Sequence, residues 1–487
     1  MHSTKDRVKN IILIGLIMLS IVQVEIYWNY QSDNQLGKLL GKIYSEDKYN
    51  FGVEEFFRPD RIIVSEGFDE NHWILKKNSW EYEVLWKDAK SYIKDFLDTE
   101  EYKEVIPFDY DNWSNVIIRK SILIEFDGDI DVNLVSTLLG NSLAKDMQLK
   151  HVKKVLMQPF EDVNNVMTFY VADESDIYKV TSPISNERLP KEAYDKLIAS
   201  FEGRGNLNKY SLINEIFPNK EMAPFNISSD VLIAIDESST ERYNSYFCML
   251  PILLDDIMFN NNSDLDDLSR EVLGENIEYY DIGVDAYGTV VFKNVENIFR
   301  LYKDGVLEYK YLDTVQKDKD ESIIKSFKIA TEFIANLKGL TEGADITLIS
   351  AKKNSREGYK FTFDYKIDDM PVIISNYKSQ VVPGMNLKNA IEIVSTGNRV
   401  ISCFWILRDF DKVQDAAQYY VAFEGLLDEL FKKYNIDKKK LEIQDMYNAY
   451  IVNFNDEDMV LEPQLIATTS VGPGQNDFYS VSLRRKD

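Results

Sequence analysis

The sequence predicts an α+β protein: an N-terminal single transmembrane helix, then a multidomain extracytoplasmic region of antiparallel sheets with packed helices. Three observations predict it. One is an 18-residue apolar run at Ile11–Trp28 that holds a single charge, Glu25. Another is a series of short segments rich in β-branched and aromatic residues, separated by turn residues. The third is a set of segments with helical apolar spacing placed among those strands.

The apolar run comes first. As a helix it is about 27 Å long, close to the ~30 Å hydrocarbon core of a bilayer. Lys5, Arg7 and Lys9 precede it, so residues 1–10 are expected in the cytoplasm and the bulk of the chain outside. Tyr27, Trp28 and Tyr30 suit the outer interface. The run is longer than a signal-peptide core, and no small-x-small site follows it, which favours a retained anchor over a cleaved leader. Within it, Ile12, Gly15, Leu19, Val22 and Ile26 follow 3-4 spacing, and Gly15 permits close approach of another helix. Ser20 and Gln23 add a narrow polar stripe. These seven residues are the candidate helix–helix contact.

Beyond the anchor, the expected layout is an N-terminal α+β domain over 29–225, a mainly β middle domain over 226–318 and a C-terminal α+β domain over 319–487. In the first, strands are expected at Arg61–Val64, Trp73–Leu75, Trp80–Leu85 and Ile117–Phe126. Helices are expected at Trp86–Leu97 and Val132–Leu143, and a hairpin links Val166–Val171 to Tyr178–Val180 around Asp173–Asp176. A second unit is expected to start near Val231, with strands at Tyr279–Gly283, Thr289–Phe292 and Val306–Tyr311. The period then changes: Ile323, Phe327, Ala330, Phe333, Ile334 and Leu337 line one face of a helix that Gly339 ends. Strands at Ile346–Ser350, Tyr359–Tyr365, Ala390–Val394 and Arg399–Trp405 follow. A helix near Ala416–Tyr434 and strands at Tyr447–Phe454 and Phe478–Leu483 close the chain.

Composition excludes several functions. With 56 basic and 81 acidic residues the chain carries a net charge of −25, which disfavours binding to nucleic acid. Three His and two Cys argue against His- or Cys-rich metal centres and against a disulfide scaffold. Cys248 and Cys403 lie in apolar contexts that suit small buried core residues, and sequence leaves open whether they pair. His72 and His151 lack a local Ser, Cys or carboxylate pattern and are expected at a surface or an interface. Two acidic stretches, Asp127–Asn133 and the segment from Asn260 to Glu271, fail the calcium-loop pattern at its sixth position. No catalytic, cofactor-binding or metal-binding residue emerges, so a noncatalytic binding role is expected. The 13% aromatic content suits an interaction role as well as strand cores.

Several segments carry a family resemblance. They are the basic N-terminus, the helix ending Tyr27-Trp28-Asn29-Tyr30, the Arg58-Pro59-Asp60-Arg61-Ile62-Ile63 segment ahead of a Trp86-containing helix, Asn389-Ala390-Ile391-Glu392-Ile393 followed by Asn398-Arg399-Val400, and the Tyr-rich strand end at Tyr447–Tyr450. In this order they resemble the YycH family of bacterial membrane-anchored regulators. Leu461-Glu462-Pro463-Gln464-Leu465 departs from the family in lacking a Trp after the proline. The resemblance implies a C-terminal part similar to YycI and a role in modulating a WalK (YycG)-type sensor histidine kinase that controls cell-wall metabolism. The implied partners are that kinase and a YycI-like membrane protein, reached through the membrane helix and the exterior. Two other readings stay open: an anchored wall-active hydrolase using a carboxylate pair, and a binding or assembly module of envelope or sporulation machinery.

Overall fold

A computed structural model describes residues 56–485, except 69, 78, 99–103, 108–109, 140–148, 159–165, 174–175, 184–188, 203–208, 217–225, 229, 235–239, 252–261, 313–321, 355–357, 376, 379–385, 414–416, 421–422, 435–441, 454–458 and 471–475. The expected membrane helix, with Ile12, Gly15, Leu19, Ser20, Val22, Gln23 and Ile26, lies outside the described residues. Among the described residues no helix is long and apolar enough to cross a membrane. The observed class is α+β, dominated by antiparallel sheet.

The first half of the chain builds a nine-stranded sheet. Its early strands are β1 (Arg61–Ser65), β2 (His72–Leu75), β3 (Glu104–Pro107), β4 (Ser121–Asp131) and β5 (His151–Gln158). A hairpin of β6 (Val166–Ala172) and β7 (Asp176–Pro183) follows, then β8 (Tyr210–Leu212). After the two-residue β9 (Asn226–Ile227), β10 (Leu232–Ala234) completes the sheet in the order β10-β8-β2-β1-β4-β5-β6-β7-β3, all antiparallel.

Helices cover both faces of this sheet. They are α1 (Trp80–Asp98), α2 (Tyr110–Ile117), the short α3 (Val132–Leu138), α4 (Lys191–Glu202) and α5 (Ile213–Ile216). On one face, Trp113, Val116 and Ile117 of α2 pack with Ile63, Leu123, Leu156 and Tyr170. On the other, Tyr92 and Phe96 of α1 meet Phe169, and Phe201 of α4 meets Trp73. Phe169 and Tyr170 are neighbours in one strand yet serve opposite faces, as the two-residue strand period requires.

Residues Trp80–Leu85 are helix rather than the expected strand. Ser79 starts it, its hydroxyl accepting from the Tyr82 amide at 3.3 Å. Tyr82, Leu85, Trp86, Ala89, Ile93 and Phe96 then fall on one buried face. Ile117 likewise ends a helix, and the expected strand there starts at Ser121. The helix expected over Val132–Leu143 is observed as Val132–Leu138; residues 140–143 of it lie outside the described residues.

The second half builds a thirteen-stranded sheet. Two peripheral strands, β11 (Thr240–Tyr243) and β12 (Tyr246–Met249), each in a separate three-stranded sheet, are followed by α6 (Asn262–Leu273). Then comes a meander of β13 (Asp281–Val284), β14 (Val290–Lys293), β15 (Asn297–Leu301) and β16 (Val306–Tyr311). Helix α7 (Ile323–Leu337) matches its expected bounds. Strands β17 (Asp345–Lys353), β18 (Tyr359–Ile367), β19 (Met370–Ser375), β20 (Tyr377–Lys378), β21 (Asn386–Leu387), β22 (Ile391–Ser395) and β23 (Val400–Ile406) follow. Short strands β24 (Asp409–Lys412) and β25 (Ala417–Tyr420) lead to α8 (Phe423–Tyr434), so the expected helix near 416–434 begins later than its spacing suggests. The chain ends with β26 (Glu442–Asn453), β27 (Met459–Leu461), β28 (Gln464–Ser470), β29 (Asn476–Ser482) and β30 (Arg484–Arg485).

The main path is β13-β14-β15-β16-β23-β22-β18-β19-β26-β28-β29, with β17 beside β18 and β9 beside β26. Middle and C-terminal segments therefore share this sheet through β16 and β23. The boundaries expected near 225 and 318 fall in segments outside the described residues. Helix α7 lies on the sheet: Phe327 contacts Phe361 at 5.3 Å, and Phe333 contacts Tyr309 at 5.0 Å. Strand β22 alternates buried and half-buried residues, the pattern of a sheet with one face against the core.

Candidate functional site: a cleft across the seam of two sheets

The chain passes between the two sheets at residues 228–231, where β9 joins the large sheet and β10 the nine-stranded one. Charged residues gather beside this crossing. Lys154 of β5 bonds Asp230, and its ammonium lies 3.1 Å from Oε1 of Glu125. The Trp113 indole N–H donates to Asp230 at 3.0 Å, and the Ser228 hydroxyl donates at 2.5 Å. Arg61 of β1 bonds Glu125 and reaches Asp445 of β26 at 2.9 Å. Lys366 of β18 bonds Asp60. The pairs Arg61–Asp445 and Lys366–Asp60 thus join the two sheets.

Burial pushes the Asp230 carboxyl up, but the Lys154 ammonium and the Ser228 hydroxyl outweigh it, leaving the group below the ordinary aspartate range. Burial pulls Lys154 down, and Asp230 and Glu125 more than reverse this, so it stays charged. Gly128 makes the second close contact of the seam. A Cβ there would lie 1.6 Å from the Ile349 carbonyl oxygen of β17, so only glycine permits this approach. The pairing of β4 with β5 is irregular between Glu125 and Ile130, which carries Gly128 out of the regular ladder.

Beside the seam opens a cleft of about 190 Å³. The nine-stranded sheet lines it with Asp60, Arg61, Ile74, Lys76, Tyr210 and Ile233; the large sheet contributes Asp368, Asp369, Met370, Met446, Asn448 and Leu465. Asp368 and Asp369 form the two-residue loop of the β18–β19 hairpin, with Ile367 opposite Met370. Both have positive φ, 50° and 65°, the geometry that tight hairpins demand and that Asn or Gly adopt at least cost. Asp368 accepts from Asn244 and Tyr246, each at 2.6 Å.

Several sequence-stressed residues lie elsewhere. His72 is buried, contrary to the expected surface or interfacial position. Its Nε2 lies 2.9 Å from the Glu215 carboxylate, which also accepts from the Leu212 amide. A histidine in a strand core needs such a partner, and α5 supplies it. His151 is half-buried at the start of β5. Cys248 and Cys403 are both buried and form no disulfide with each other, and burial raises the Cys403 thiol far above its ordinary range. The Asp127–Asn133 stretch is strand followed by a helix cap: Asp131 accepts from the Asn133 amide at 2.8 Å. Asn262 already starts α6, so the described part of the second acidic stretch, 262–271, is helix, not a cation loop.

Sequence reasoning missed Lys76, Asp369 and Asn448. The Asp-Asp pair between two apolar alternations was the available hairpin signal, but it says nothing about what faces the loop.

At the far edge of the large sheet, β13 is exposed along its whole length. Tyr279 and Tyr287, about three-quarters exposed, flank Ile282 and Val284. The hairpin is firmly made. Asp285 accepts from the amides of Tyr287 at 2.8 Å and Thr289 at 2.9 Å, and Gly288 takes the positive φ of the turn.

No family model matches the chain, and no curated protein matches it. Among solved structures it is similar to an uncharacterized protein from Eubacterium rectale ATCC 33656. The two are 11% identical, the match covers 56% of this chain and 89% of that one, and the TM-score is 0.28.

Proposed function

We propose that the chain is a noncatalytic, membrane-anchored regulatory protein whose extracytoplasmic part binds a protein partner. On the resemblance to the YycH family, that partner is a WalK (YycG)-type sensor histidine kinase acting with a YycI-like protein. The single observation that supports a binding role is the β13 edge. An edge strand with unpaired backbone groups and apolar side chains is normally blunted with charge or proline. Here Ile282, Val284, Tyr279 and Tyr287 stay exposed beside Asp281 and Asp285 on a hydrogen-bonded hairpin, a contact surface with aromatic anchors and acidic neighbours. The hydrolase reading needs two available carboxylates in the cleft; Asp369 is one, its carboxyl pushed up by burial, but Asp60 is held by Lys366 and Asp368 by Asn244 and Tyr246.

Regulation of this kind requires that the protein bind one kinase conformation more tightly than the other. A difference of about 3 kcal/mol shifts such an equilibrium roughly 150-fold. The test is capture of the full-length protein from its own membrane in mild detergent, with a control whose residues 11–28 are replaced by poly-Leu. Recovery of a sensor kinase and a YycI-like protein, lost in the control, is the expected result and assigns contacts to the helix. Capture without any kinase would remove the regulatory reading.

A further inference from the structure

Two charged side chains that line the cleft make no hydrogen bond or ion pair with a described residue. Asp369 makes no hydrogen bond or ion pair with any described residue, although it is partly buried. Burial pushes its carboxyl above the ordinary aspartate value, and Lys77 and Lys366 offset this only in part. The Lys76 side chain, from the other sheet, is exposed and also makes no hydrogen bond or ion pair with a described residue. It is close enough to act electrostatically on Asp369. The lining beside them is apolar or aromatic: Ile74, Tyr210, Ile233, Met370 and Leu465.

The backbone adds a second observation. Left-handed φ at a non-glycine residue is unfavourable, though less so for Asp than for most residues. Glycine at 369 would relieve it, yet the hairpin carries a carboxylate there, aimed by a strained turn at a cleft. Backbone strain at a cleft wall is a pointer to function.

We propose that this cleft binds a small zwitterion, an amino acid or dipeptide with an apolar side chain, its ammonium on Asp369 and its carboxylate on Lys76. A simple amine would leave Lys76 facing a cation, and a simple carboxylate would face Asp369. The volume agrees: an engineered cavity of about 150 Å³ holds benzene, so about 190 Å³ accommodates one apolar side chain with the charged ends at the opening. Because the two charges come from different sheets, the bound ligand ties the sheets together and stabilises the folded chain by mass action.

The test is calorimetric binding of leucine and of leucyl-leucine to the full-length chain in detergent. N-acetyl-leucyl-leucine, which lacks the ammonium, and leucyl-leucine amide, which lacks the carboxylate, serve as controls. At least one zwitterion is expected to bind saturably, with each capped dipeptide weaker by about tenfold or more. Asp369→Asn is expected to weaken the zwitterion and to leave the turn intact, since Asn tolerates left-handed φ. Lys76→Gln is expected to erase the preference for a free carboxylate. Absence of saturable binding by both leucine and leucyl-leucine, or binding that Asp369→Asn leaves unchanged, would overturn the proposal.

Discussion

The two sheets solve the burial problem differently. The nine-stranded sheet has helices on both faces, and its strands carry core residues on each side. The large sheet carries α7 on one face, alternates along its strands and runs out into a bare hairpin at β13. Between them the usual partition is inverted. The seam is lined with paired charges and the free end with apolar side chains. A buried ion pair adds little net stability over a well-packed apolar one, but it penalises misalignment heavily, because any shift leaves a charge unpaired. The seam is thus suited to fix the register of the sheets, and the free end to accept something from outside.

The strongest way to break this arrangement is at Gly128. Gly128→Val puts a branched side chain into the Ile349 carbonyl and is expected to cost about 3 kcal/mol or more, read from denaturant unfolding of the full-length chain. An outcome near zero would mean that the two sheets separate there without penalty. Lys154→Met comes next. It leaves Asp230 and Glu125 buried without their shared cation and is expected to cost about 3 kcal/mol.

The same pair sets an acid limit. Asp230 has a folded pKa below its unfolded value of about 3.9, so its contribution is fully present above that value. It is lost as the pH falls through the folded value. Stability measured between pH 7 and 2 is expected to drop below about pH 4, and more shallowly in Asp230→Asn. Identical profiles would remove Asp230 from the account.

Asp369→Gly sharpens the contrast from the other side. Relief of the left-handed strain is expected to stabilise the chain by up to about 1 kcal/mol, partly offset by the freer unfolded chain. The same variant is expected to lose zwitterion binding. Gain of stability with loss of a ligand would mark Asp369 as kept for binding.

The halves also differ in how far their sequences reveal them. In the large sheet, one covered face leaves an alternation, so Tyr359–Tyr365 and Arg399–Trp405 were read within two residues of β18 and β23. Helix α7 declared itself by its 3.6-residue stripe. In the nine-stranded sheet, burial on both faces removes the alternation. There the aromatic segment Trp80–Leu85, rich in strand-favouring residues, proved to be the first turns of a helix set by Ser79. Tertiary packing overrode local preference. The cleft was not legible, because Lys76 and Asp369 are far apart in sequence and come to one cleft only where the two sheets pack together. Asp60, Arg61, Tyr447 and Asn448 of the cleft wall do fall in or beside segments that carry the family resemblance, though nothing in their spacing marks them as a site.

The most direct test of the partner-binding edge is the double substitution Ile282→Lys with Val284→Lys. Val284 is about half exposed and Ile282 about one-third exposed, so the expected cost in stability is about 1 kcal/mol and the variant is expected to stay folded. Captured from its own membrane beside the unaltered protein, the variant is expected to lose the sensor kinase while remaining folded. Full recovery of the kinase by a folded variant would contradict the account and place the contact elsewhere.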